Sequence, residues 1–178
     1  MNQGIGLRRV AHDTMRDYYE NDEDSGLEVP IRYLLEDLVD RWQAVAADRG
    51  VDLVTSLPPS GDAMVDVEMV RRLVDNLVDN ALRHVPVGGV VRVTAQVRDD
   101  LWTLAVDDSG PGVPGELHGR LFERFSRGDR SRARGTGGAG LGLALCAVIA
   151  RLHGGDIRLD AAHPSRFVVE LPRSGASA

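Results

Sequence analysis

The sequence predicts an α+β fold, a two-layer α/β sandwich in which one mixed, mostly antiparallel sheet is covered on one face by helices. Three observations carry that expectation. Two long stretches, starting at Ile31 and Val67, place apolar residues at i, i+3, i+4 and i+7, the period of a helix with one buried face. Shorter runs at 51–57, 90–97 and 101–106 are rich in β-branched residues and bounded by Gly, Pro and Asp, as strands are. The strands are mixed with helices and mostly joined by hairpin-length turns, which suggests sheet and helices in two layers. The chain has 178 residues, 43% of them hydrophobic, enough for one sizeable core.

Taken in order, residues 1–26 are polar, end in the acidic run Glu20-Asn-Asp-Glu-Asp24 and show only weak helical spacing at Leu7, Val10, Met15, Tyr18 and Tyr19. They are expected to form a helical lead-in outside the main domain, which spans 27–174 and leaves 175–178 as a tail. Ile31, Leu34, Leu35, Leu38, Val39, Trp42 and Val45 line one face of a helix that Gly50 ends. A strand follows at 51–57, then the turn Pro58-Pro-Ser-Gly61 and a short strand over 63–66. Val70, Leu73, Val74, Leu77, Val78 and Ala81 give the next helix, over 67–84, its apolar stripe. The strands 90–97 and 101–106 are joined by Asp99-Asp100 and should pair antiparallel. A short helix is expected over 116–125, and a polar segment with no hydrophobic anchor over 126–138. An apolar helix over 141–153 stops at Gly154-Gly155, and strands at 156–159 and 166–171 close the chain.

Composition removes several chemistries. All 21 basic residues are Arg, so no mechanism that needs a lysine amine is open, neither a Schiff base nor the P-loop lysine nor the strand lysine of protein kinases. The net charge of −6 argues against a general nucleic-acid binder. A lone Cys146 in an apolar stretch gives no disulfide framework and reads as a small buried hydrophobe. The N-terminus lacks an apolar signal core, and the longest uncharged run, 135–150, is too short and Gly-rich to span a bilayer, so a soluble chain is expected.

Four features carry candidate chemistry. Asn76, Asn80, Arg83 and His84 fall on one polar stripe of the helix over 67–84. Asn costs about 0.5 kcal/mol against Ala inside a helix, and its amide oxygen is a hard, neutral ligand suited to Mg²⁺; a merely solvated helix face fits equally well. Asp108-Ser-Gly-Pro-Gly112 follows a strand. Its carboxylate can accept from an exocyclic amine while the glycines admit a flat ring, or the segment is a surface turn. Gly135-Thr-Gly-Gly-Ala-Gly-Leu-Gly-Leu143 runs into a helix, whose free N–H groups suit an anion, though a flexible linker has the same composition. Arg124, Arg127, Arg130, Arg132 and Arg134 cluster just before it, as a phosphate contact or as a solvated basic loop.

The order of these features resembles the nucleotide-binding domain shared by bacterial sensor histidine kinases, gyrase, Hsp90 and MutL. It is most similar to the histidine kinase catalytic domain. Asn76-Leu-Val-Asp-Asn-Ala81 looks like the asparagine box, Asp108 to Gly112 the first glycine box, Leu121-Phe-Glu-Arg-Phe125 the phenylalanine box, and Gly138-Ala-Gly-Leu-Gly-Leu143 the second glycine box. His153-Gly-Gly155 and Val168-Val-Glu-Leu-Pro172 follow the family pattern too.

The resemblance implies a Bergerat-type fold that binds ATP and Mg²⁺. Asn80 would hold the metal with Asn76 supporting it, and Arg83 would contact phosphate, with His84 a nearby nucleotide neighbour. Asp108 would take the adenine amine, with Gly110 and Gly112 beside the ring. Arg127, with Arg124, would reach the γ-phosphate. Residues 126–138 would form a lid, and amides around Gly138, Gly140, Leu141 and Gly142 would hold phosphates. Where the superfamily's ATPases and the anti-sigma serine kinases carry a general-base Glu, this chain has Asn76, so it should hydrolyse ATP poorly and phosphorylate a histidine on a separate domain. His12-Asp-Thr-Met-Arg16 lacks the proline of the phosphoacceptor box. Residues 1–26 therefore read as the end of a dimerisation hairpin, leaving a monomeric, cytoplasmic catalytic domain whose parent is anchored in the membrane and serves a response regulator. The alternatives are an anti-sigma-type serine kinase and an ATP-sensing module without transfer.

Overall fold

The computed structural model describes residues 27–123, 141–160 and 165–174. Strand β1 (Leu27–Pro30) leads directly into helix α1 (Ile31–Asp48), with Pro30 at the N-cap, where a fixed φ and a missing N–H cost nothing. The face of α1 that carries Ile31, Leu34, Leu35, Leu38 and Val39 is fully buried, as its spacing predicts. Strands β2 (Asp52–Ser56) and β3 (Asp62–Val65) follow. Helix α2 (Val67–His84) is started by Asp66, whose carboxylate accepts from the Met69 N–H at 2.8 Å, a cap that satisfies one otherwise orphaned donor.

The hairpin of β4 (Val90–Val97) and β5 (Leu101–Asp108) forms the centre of the main sheet. Helix α3 (Gly142–Leu152) and strands β6 (Asp156–Leu159) and β7 (Phe167–Pro172) complete the described chain. Five strands lie in the order β2-β4-β5-β7-β6, with β2 and β4 parallel and the other neighbours antiparallel. Val91, Val93 and Ala95 on β4 and Trp102, Leu104 and Val106 on β5 are buried at every second position. That alternation places the helices over one face of the sheet.

Three elements differ from the sequence expectation. A second, two-stranded sheet pairs β1 with β3, Leu27 opposite Val65 and Pro30 opposite Asp62. Four residues ending in proline carry too little alternation to read as a strand, and the partner lies beyond the whole of α1. The helix expected over 116–125 is a 3₁₀ turn, Gly115–Arg120, with no buried residue; the apolar side chains that pack on the core here, Leu121 and Phe122, come after it. Strand β5 runs two residues past Val106 to include Asp107 and Asp108. Asp107 is neutralised by Arg92 across the hairpin at 3.1 Å, and Ser109 closes the ladder by donating its N–H to the Val90 carbonyl and accepting the Val90 N–H at its Oγ.

Helices α2 and α3 lie antiparallel. The His153 ring joins them: its Nε2 accepts the Asp66 N–H at 3.1 Å and its Nδ1–H donates to the Ile149 carbonyl at 2.9 Å. These two bonds fix the neutral tautomer and tie the end of α3 to the start of α2. The Cys146 Sγ–H points at the Leu73 carbonyl, 3.7 Å away, and burial pushes that thiol up to about 12.

Candidate functional site

The packing of α3 on α2 brings together two features that the sequence places 66 residues apart. Gly142, the first residue of α3, sits against Asn76 so closely that a Cβ there would stand 2.7 Å from Asn76 Oδ1. The Asn76 Nδ2 is spent on its own helix, donating to the Arg72 carbonyl at 2.6 Å, which turns the amide oxygen towards Gly142. The N-cap residue of α3 is Leu141, which makes no side-chain cap. The first residue of α3 thus meets the polar stripe of α2, and a helix N-terminus favours an anion.

At the other end of the stripe, the His84 carbonyl lies under the glycine turn that follows β5. A Cβ on Gly110 would stand 2.9 Å from that carbonyl and 2.5 Å from Asp108 Oδ1, so only glycine lets the turn close. Gly112 adopts a φ of 78°, which a side chain would strain. Asp108 occupies the last position of β5, half-buried, with Oδ1 accepting the Gly110 N–H at 2.7 Å. Burial raises its carboxyl above the ordinary carboxylate value, helped by Asp107 and opposed by the Gly110 N–H, the charge of His84 and the Ser165 hydroxyl. A carboxylate short of solvation gains most from a ligand that brings its own donor.

Between these ends lies Asn80, half-buried, one turn from Asn76 and one from His84. Its carboxamide makes no hydrogen bond among the described residues, leaving a neutral oxygen free for a hard cation. No group of three or more His, Cys, Asp or Glu among the described residues could hold a metal. From Asn76 to His84 the helix rises about 12 Å, which sets the distance between the start of α3 and the glycine turn after β5. Arg83 is exposed and paired with Asp79 at 2.6 Å, and His84 is exposed.

The structure thus brings Asn76, Asn80, His84, Asp108, Gly110, Gly112, Leu141 and Gly142 to one side of α2. Arg124, Arg127, Gly138 and Gly140 lie outside the described residues, as do the lid expected over 126–138 and His12. Sequence reasoning missed Ser165, which lies 57 residues after its partner Asp108. It also missed Asp79, whose i, i+4 spacing before Arg83 was the available signal.

Together these elements make an α+β domain whose candidate site runs along α2, from the glycine turn after β5 to the start of α3. Residues 65–175 match the family described as histidine kinase-, DNA gyrase B-, and HSP90-like ATPase, and the chain belongs to that family of ATP-binding domains. It is 42% identical over 130 residues to the signal transduction histidine-protein kinase BaeS of Escherichia coli, a match covering 71% of this chain and 27% of that protein. Among solved structures, the mycobacterial sensor histidine kinase MprB superposes with a TM-score of 0.69 at 27% identity, covering 85% of this chain and 99% of that one. ShkA in complex with AMPPNP gives a TM-score of 0.73 at 27% identity, over 88% of this chain and 33% of that one. The chain spans only 18% to 36% of the length of the first curated relatives it matches. No helix among the described residues is long and apolar enough to cross a membrane.

Proposed function

We propose that residues 27–174 are the catalytic domain of a two-component sensor histidine kinase, which presents the γ-phosphate of ATP to a histidine on a separate dimerisation domain. The contact of Gly142 with Asn76 carries this reading, because it brings the start of α3 onto the amide stripe. Asp108 takes the adenine amine, with Gly110 and Gly112 beneath the ring, and the amides around Gly138, Gly140, Leu141 and Gly142 take phosphate oxygens. Arg83, released from Asp79, and Arg124 and Arg127 supply the cations that a lysine supplies in other nucleotide folds. Asn80 offers its oxygen to Mg²⁺, which when bound offsets charge on the phosphates.

The transferring step breaks the bond between the γ-phosphorus and its bridging oxygen and forms one to an imidazole nitrogen of the acceptor, with ADP leaving. Positioning and charge stabilisation dominate such a transfer. Asn76 cannot take a proton from water, so the nucleophile and any base come from the partner. Residues 1–26 lead from the dimerisation hairpin, a response regulator receives the phosphoryl group, and the domain works in the cytoplasm, where ATP is supplied.

The test supplies the parent's hairpin, or a related one, in trans with labelled ATP. An acid-labile phosphohistidine should form on the hairpin and be lost in Asp108→Ala and Asn80→Ala, both of which should also lose Mg-ATP binding by calorimetry. Arg127→Ala should keep ADP affinity and slow transfer. Phosphoserine on a partner, or nucleotide binding with no phosphohistidine on any hairpin, would overturn the assignment.

A further inference from the structure

Arg83 is held by a neighbour on its own helix. Its Nη2 meets Asp79 Oδ2 at 2.6 Å, one turn earlier on α2, with the two side chains 36% and 29% exposed. Asp79 is the one carboxylate in an ion pair with Arg83 among the described residues. Similar pairs line the start of α2, where Glu68 meets Arg71 and Arg72, and Arg71 meets Asp75. The Asp79–Arg83 pair differs in its place, because it lies at the edge of the stripe that carries Asn76, Asn80 and His84.

The helix period says which way Asp79 draws the guanidinium. Each residue advances about 100° around α2, so Arg83 lies about 40° past Asp79 and about 60° short of Asn80. The candidate site is on the Asn80 side. There Gly142 of α3 meets Asn76, the Cys146 thiol of α3 meets the Leu73 carbonyl, and the glycine turn after β5 meets the His84 carbonyl. Asp79 is on the other side, that of Asp75, which accepts the Trp42 Nε1–H of α1 at 2.8 Å. The ion pair therefore turns Arg83 away from the site and towards α1.

We infer that Asp79 is a latch on Arg83, holding the guanidinium off the site until the phosphates of a nucleotide draw it across. The inference rests on the proposed nucleotide site and adds a residue to it. A guanidinium keeps its charge in either position, and the forked donors that meet a carboxylate also meet a phosphate. A polyphosphate carries more negative charge than one carboxylate, so the exchange favours the ligand while the lost pair lowers its affinity. Asp79 is thus a positioning residue: it acts through Arg83 and touches no ligand atom.

Calorimetry of ADP binding to the whole 178-residue chain, in one magnesium buffer, tests this. A part-exposed pair of this kind is worth about two- to fivefold in an equilibrium constant, so Asp79→Asn should tighten ADP by about that factor. In an Arg83→Gln background the same substitution should lose that effect, because no guanidinium is left to hold. A pair that serves only the helix would leave ADP affinity unchanged or weaken it, so the sign separates the two roles. An equal gain in both backgrounds would show that Asp79 acts only as a negative charge near the site, and would overturn the latch. Weaker ADP binding in Asp79→Asn would overturn it too, since the carboxylate would then be aiming Arg83 at the phosphates. ADP affinity untouched by Asp79→Asn would overturn the latch and leave the nucleotide site standing, whereas a natural chain that binds no ADP would overturn both.

Discussion

The contact between Gly142 and Asn76 can be tested without any ligand. Replacing Gly142 by Ala puts a Cβ 2.7 Å from Asn76 Oδ1 and 3.5 Å from its Cγ, and the amide cannot retreat freely because its Nδ2 is held by the Arg72 carbonyl at 2.6 Å. Relief requires Asn76 to turn and lose that bond, at about 0.5–1.5 kcal/mol. Against this stands the better helix propensity of Ala, worth about 0.5 kcal/mol in a first turn, where less than the full interior difference applies. Gly142→Ala should therefore lie between neutral and about 1 kcal/mol destabilising. In an Asn76→Ala background the oxygen is gone, and the same substitution should stabilise by about 0.5 kcal/mol. Urea unfolding of the four proteins measures the coupling, expected near 1 kcal/mol. Additivity within about 0.3 kcal/mol would show that α3 does not meet α2 there, and the site built on that meeting would fall with it.

Asp108→Asn should stabilise the ligand-free domain at neutral pH. The folded carboxyl binds its proton more tightly than the unfolded one, so the natural chain loses stability as pH rises from the ordinary value of 3.8 through the raised folded value. Urea midpoints of the two proteins should diverge over that window, and a constant difference would refute the buried carboxylate. His153→Ala strands the Asp66 N–H and should cost roughly 1–3 kcal/mol in the same assay; an unchanged midpoint would remove the bridge between α2 and α3. The Cys146 thiol, with a value pushed up to about 12, should react with Ellman's reagent only as fast as the domain opens. A rate that follows reagent concentration rather than unfolding would place that thiol at the surface.

The long elements were legible because their signals are local. Both amphipathic helices and the β4–β5 hairpin state their buried faces within a dozen residues of sequence. What escaped depends on partners far along the chain. Strand β1 exists because β3 lies across α1, and the last two residues of β5 are strand because Arg92 and Ser109 satisfy them. The site divides the same way. Asn76, Asn80 and His84 share a stripe by helical period alone, whereas the Gly142 contact, the Ser165 hydroxyl on Asp108 and the His153 bridge require the fold.

Asn76 answers two requirements with one side chain. Its Nδ2 must donate to the Arg72 carbonyl for Oδ1 to face Gly142. A glutamate at this position could not make that bond, because an ionised carboxylate only accepts. It would be repelled by the carbonyl and would swing off its own helix towards the stripe, where a base would stand within reach of a water. The choice of amide over carboxylate thus sets the direction of the side chain as well as its affinity for protons. The same choice lets α3 approach to a distance that excludes even a methyl group. Under the proposed function, weak hydrolysis and a tightly seated phosphate helix then have a common origin in a single residue. Asn76→Glu should accordingly loosen the start of α3 even if it creates no hydrolase.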